Sequence, residues 1–137
     1  MKISKQYPPN YTHIISVFPN LSTSKPIFTY GDTLYNPFEI DVTPDLEVHE
    51  QVHTKQQSLT PEIWWKMYLE NKDFRLTQEL EAYGEQYKFI LKHITQYKMK
   101  DWVLDNMASA LSGELYGNLL TFGQARSKIR NYAKSVV

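Results

Sequence analysis

The chain contains no cysteine. Disulfides and thiolate ligands are therefore excluded, and any metal must be held by His, Asp or Glu. Nor is there a surplus of charge, since 15 Lys and Arg balance 15 Asp and Glu. A protein that grips a polyanion by neutralising phosphates carries a basic excess, so nucleic acid is not an expected partner. No apolar run approaches the roughly 18 residues of a membrane span. The opening "MKISKQYPPN" lacks the apolar centre of a secretory signal. A soluble protein of the cytoplasm is expected, with no membrane partner.

Proline is scarce only in the later part. Six of the 7 prolines lie within residues 1–45, and Pro61 alone follows. What is present is apolar and aromatic: 42% and 14% of 137 residues, enough for one modest core in a single domain. The early part holds short β-rich runs. "YTHIISVF" (11–18) and "PIFTY" (26–30) read as strands, and "YGDT" as a turn that makes 26–42 a hairpin. The later part is helical in pattern. A first helix starts at Thr43 or Asp45 and runs to about Gln57; a second starts with Thr60 as cap and Pro61 at its first position. A third spans about 73–95, a fourth about 99–112 and a fifth about 121–134, with Thr121 a candidate cap. The expected class is α+β, with residues 1–45 strand-rich and 46–137 a helical bundle.

The first long helix contains His49-Glu50-Gln51-Val52-His53, an H-E-x-x-H word. Positions i and i+4 share one helical face, so both imidazoles can reach one zinc ion. Glu50 sits beside them as the candidate catalytic base. Such short words also arise by chance, but this one follows a helix cap and lies in a helical frame. A zinc hydrolase needs a third protein ligand. The long metzincin word would place glycine at position 56 and histidine at position 59, where Gln56 and Leu59 stand. A carboxylate on a later helix remains. The third helix offers Glu79, Glu81 and Glu85, and its apolar residues 76, 80, 83, 87, 90 and 94 form a one-sided stripe. At about 100° per residue, Glu79 lies roughly 60° from the stripe's centre, Glu81 roughly 140° and Glu85 roughly 180°. Glu79 is thus expected at the margin of the buried face, as a metal ligand or as the partner of Arg75 in a surface pair.

H-E-x-x-H followed by "Glu79-Leu80-Glu81-Ala82-Tyr83" resembles the gluzincin class of zinc metallopeptidases. The resemblance puts Glu79 in the ligand position of an E-x-x-A word. It departs at Tyr83, where the class often has Asp to orient a histidine. Asp45, Glu47 or a backbone carbonyl can substitute. The words "FTYGDTLYNP", "HEQVH", "FRLTQELEAY" and "LYGNLLT" also resemble small peptidase-like proteins of phages, prophages and bacteria. The resemblance implies one Zn²⁺ per chain, held by His49, His53 and Glu79, and Glu50-assisted cleavage of an amide in a polypeptide or peptidoglycan peptide. It adds the virion as a second location.

Other residues stay open between two roles. The 26–42 hairpin either pairs with substrate backbone or covers the helices. Tyr83, Arg75, His93 and Tyr116 are candidates to stabilise an oxyanion, Tyr83 and Tyr116 foremost. Trp64 and Trp65 either pack a helix or line a cleft. Gln56 can hydrogen-bond a ligand, and His13 reads as structural. Two function classes follow: a minimal zinc peptidase, or a non-catalytic component of a larger particle in which a metal ties helices together.

Overall fold

The computed structural model describes residues 1–58 and 60–135. It is α+β: a three-stranded sheet and six α-helices. The strands are β1 (Lys2–Ser4), β2 (Phe28–Tyr30) and β3 (Thr33–Tyr35). They lie in the order β1-β3-β2, with β1 parallel and β2 antiparallel to β3. Gly31, at φ 63°, supplies the left-handed turn between β2 and β3, which pair Thr29 with Leu34. The hairpin is shorter than the 26–42 expected. Beyond Tyr35 the chain leaves the sheet, and the Asn36 side chain closes a loop on the Ile40 backbone.

Residues 11–18 are not a strand. Tyr11–Val17 form a short helix, α1, so His13 is helical and exposed. Its Ile and Val residues favour extended backbone, but a tertiary contact decides the outcome. Ile14 is 1% exposed, and the Tyr11 ring meets Phe28 edge-on at 5.8 Å.

The remaining helices are α2 (Pro44–Gln57), α3 (Pro61–Glu70), α4 (Lys72–His93), α5 (Tyr97–Leu111) and α6 (Phe122–Ser135). Pro44 and Pro61 open α2 and α3, but neither Thr43 nor Thr60 caps with its side chain. Asn71 accepts from the Phe74 amide at the start of α4. Thr121 and Gln124 form a reciprocal capping box at α6. α4 is the central helix: α2 and α3 pack on it, and so do α5 and α6. On the second side Leu104, Met107, Leu111, Ala125 and Ile129 join Tyr87 and Ile90 in the apolar core. Gly84 lets Tyr132 of α6 lie directly on the α4 backbone. No helix among the described residues is long and apolar enough to cross a membrane.

The stripe on α4 does not mark the centre of its burial. Leu76, Leu80 and Tyr83 are half-buried, whereas Arg75, Glu79, Ala82 and Gln86 are buried. That ridge lies about 90° round the helix from the stripe. It is polar, and it faces α2.

Candidate metal centre

α2 turns His49 and His53 toward α4 and Glu50 toward β2, and all three are buried. Their donor atoms lie within 4.8 Å of one another, so this group can hold a metal ion. Glu79 meets them from α4 and is 4% exposed, at the middle of the buried face and not its margin. The surface pair with Arg75 is therefore absent. The Arg75 guanidinium instead stacks over the rings of Phe18 and Tyr68, at 4.9 and 5.7 Å.

Two carboxylates compete for the place beside the imidazoles, and their contacts separate them. Glu79 Oε1 lies 3.0 Å from His49 Nε2 and 3.2 Å from His53 Nε2. A tetrahedral ion with bonds of about 2.0–2.1 Å sets its donors roughly 3.3 Å apart, so each of the two Glu79 contacts has the spacing of a pair of ligands. The second oxygen of Glu79 accepts a 2.5 Å bond from the Tyr68 hydroxyl. Glu50 Oε2 accepts from the Thr29 hydroxyl of β2 at 2.6 Å. Glu50 Oε1 has no hydrogen-bond partner among the described residues.

The hydrogen bonds behind the imidazoles show that a cation fits. Gln86 donates its amide to Asp45 at 2.8 Å, so its oxygen faces His49 Nδ1 at 2.9 Å. Gln56 donates to the Gln78 carbonyl and to Glu81, both at 2.9 Å, so its oxygen faces His53 Nδ1 at 2.8 Å. Both Nδ1 atoms must therefore donate. In neutral imidazoles both Nε2 lone pairs would then point at one carboxylate oxygen. Lone pairs so aimed repel unless a proton or a metal ion lies between them. Without metal, His53 takes the proton: burial pushes its pKa down, but Glu79 outweighs burial and holds it at about 9. Burial pushes Glu79 up, and His53 and His49 together hold it well below the carboxylate range.

A cavity of about 230 Å³ opens beside Glu50 and Glu79. Its apolar wall comes from Ile14 of α1 and Phe18 just after it, with Leu21, Phe28, Leu46 and Leu115. Tyr83 and Tyr116 also line it, as do Trp64 and Trp65, which pack and line at once. Tyr83 meets the His49 ring edge-on at 4.5 Å. Burial, reinforced by the Glu79 charge, pushes both tyrosine pKa values up, so both keep their protons at neutral pH. A wider groove continues outward past Phe18, Tyr83 and Tyr116. His93 is exposed and bonds to the Phe89 carbonyl, away from the cavity.

The hairpin edge is partly closed. The Thr29 carbonyl accepts from Gln57 and Trp65, and the Gly31 amide donates to Gln57, so these side chains occupy part of the edge a substrate backbone would use. Sequence reasoning missed Thr29, Tyr68 and Gln86. Only Gln86 left a signal: it lies seven residues after Glu79, two turns on along the same face.

Comparison with known proteins finds no family model that matches the chain, no similar curated protein and no similar solved structure.

Proposed function

We propose that the protein is a zinc-dependent peptidase. The observation that carries this reading is the convergence of two imidazole Nε2 atoms on one oxygen of Glu79, with a second carboxylate free at one oxygen beside them. His49, His53 and Glu79 would hold one zinc ion. Bound there, zinc supplies Lewis acidity that acidifies water and polarises an amide carbonyl. Glu50 acts as the general base, taking a proton at Oε1 and passing it to the leaving amine. Thr29 keeps Oε2 occupied and fixes the carboxylate plane. A hydroxyl of Tyr83 or Tyr116 donates to the carbonyl oxygen as it gains charge.

The substrate is a protein or peptide with a bulky apolar residue beside the cleaved bond. A cavity of 150 Å³ lined by apolar side chains accepts benzene, so about 230 Å³ holds a large side chain. Its wall offers no Lys or Arg among the described residues, so an acidic side chain there would be buried unpaired. The small polar residues of a peptidoglycan cross-bridge match it less well.

A second reading is a metal that only ties α2 to α4, free of chemistry, in a component of a larger particle; the burial of every ligand favours it. Metal content by mass spectrometry, with peptide cleavage by wild type and Glu50→Gln, separates the two. Catalysis requires one zinc in each protein and a loss of about 10²–10⁴-fold in kcat/KM for the variant. A zinc-loaded wild type that cleaves no peptide of a mixed library would leave the structural reading standing.

A further inference from the structure

We propose that Gln86 and Gln56 are positioning residues, each locking one metal-binding imidazole in its Nδ1–H form while a carboxylate locks the amide. The inference rests on the metal-centre reading above. One clamp runs from His49 through Gln86 to Asp45, at 2.9 and 2.8 Å. The other runs from His53 through Gln56 to Glu81, at 2.8 and 2.9 Å.

An amide can present either end to an imidazole. With its nitrogen toward Nδ1, it would force the ring proton onto Nε2, where no metal can bind. The carboxylate bars that flip, because the amide oxygen would then face another acceptor. Asp45 thus selects the His49 tautomer without touching the ring, and at His53 Glu81 shares that part with the Gln78 carbonyl.

The two clamps differ in strength. Gln86 is buried and joins α4 to the first turn of α2, with Asp45 as its amide's partner. Gln56 lies one turn beyond His53 on the same helix, and its amide also bonds the Gln78 carbonyl. Loss of the Gln86 clamp therefore costs more.

A carboxylate at position 86 could by itself accept from His49. Here it would face Asp45, which lies 2.8 Å from the amide it replaces. Gln86→Glu should consequently harm the site, and Asp45→Asn should rescue it, because the new amide at 45 can donate to the carboxylate at 86 while that carboxylate accepts from His49. Zinc affinity, by competition with a chromogenic chelator, should fall about 10–100-fold in Gln86→Met and further in Gln86→Glu. It should return to within about fivefold of wild type in Gln86→Glu/Asp45→Asn, and fall about 10-fold in Gln56→Met. Nitrogen-15 spectra of the metal-free protein, on the alkaline side of the His53 transition, should show Nδ1–H on both rings. His49 should lose that signature in Gln86→Met. Affinity within about twofold of wild type in Gln86→Met, with His49 still Nδ1–H, would overturn the clamp. So would a double variant no better than Gln86→Glu. A wild type that takes no zinc would instead overturn the metal centre, and the ring spectra would still decide the clamp.

Discussion

Two faces of α4 do opposite work. Toward α5 and α6 it presents Gly84, Tyr87 and Ile90 to an apolar core, where close approach and area removed from water stabilise the fold. Toward α2 it presents Glu79 and Gln86, buried and hydrogen-bonded to side chains that are themselves polar. Burying that second face costs desolvation at every group, and apolar residues of equal volume would stabilise the helix pair at least as well. On the proposed reading, metal binding is what such a polar ridge is for. The first face should therefore respond to shape and the second to charge and metal.

The largest effect is expected at Glu79. Glu79→Ala should lose zinc, and in the metal-free protein it should lower stability on the order of 3 kcal/mol by stripping His53 of its partner. Urea unfolding with and without chelator measures both. A variant that keeps full metal content would remove Glu79 from the ligand set. The apolar face should break differently. A Cβ at position 84 would lie 2.5 Å from Tyr132 Cγ and 2.8 Å from Cε1, with Cδ1 nearer still. Gly84→Ala gains helix propensity but must displace that ring, so a net loss of about 1–2 kcal/mol is expected with zinc affinity unchanged. A stabilised variant would show that Tyr132 is free to move.

The same contrast explains what could be read from sequence. The six residues of the α4 stripe include true core positions, Tyr87 and Ile90, but periodicity records only apolar burial. The pair Glu79 and Gln86 is invisible to it, because their burial is compensated by partners on other elements. Spacing and resemblance single out Glu79, and the structure sets it against both imidazoles, deeper than the margin expected from the stripe. Thr29 and Tyr68 could not be found: each meets its carboxylate through the tertiary fold, across 21 and 11 residues. The helix at Tyr11–Val17 was misread because its short β-branched run carries no sign of the packing that winds it.

Acidity sharpens the comparison next. In the metal-free protein the folded pKa of His53 is about 9, raised above its ordinary 6.5. The pair's contribution is then fully present below pH 6.5 and is lost as pH rises through about 9. A loss of up to about 3 kcal/mol is expected across that window. Zinc must displace this proton, so its affinity should rise over the same range. Unfolding of chelated protein at several pH values tests the first statement, and the slope should vanish in Glu79→Ala. A flat profile in wild type would mean that His53 is neutral there.

The smallest effect is expected at the other glutamate of the word. Glu81 is exposed, and among the described residues it reaches the site through the Gln56 amide. That amide keeps the Gln78 carbonyl as a second acceptor at 2.9 Å when Glu81 is removed. Its orientation, and with it the His53 tautomer, should survive. Glu81→Ala is thus expected to change stability by no more than about 0.5 kcal/mol, as exposed substitutions usually do. Asp45→Ala, by contrast, deprives Gln86 of the partner that fixes it and should weaken zinc binding about 10-fold or more. Chelator competition on the two alanine variants sets them side by side. If Glu81→Ala lost zinc as Glu79→Ala is expected to, the ligand would have been placed one helical step wrong, and the polar ridge of α4 would need another reason to be buried.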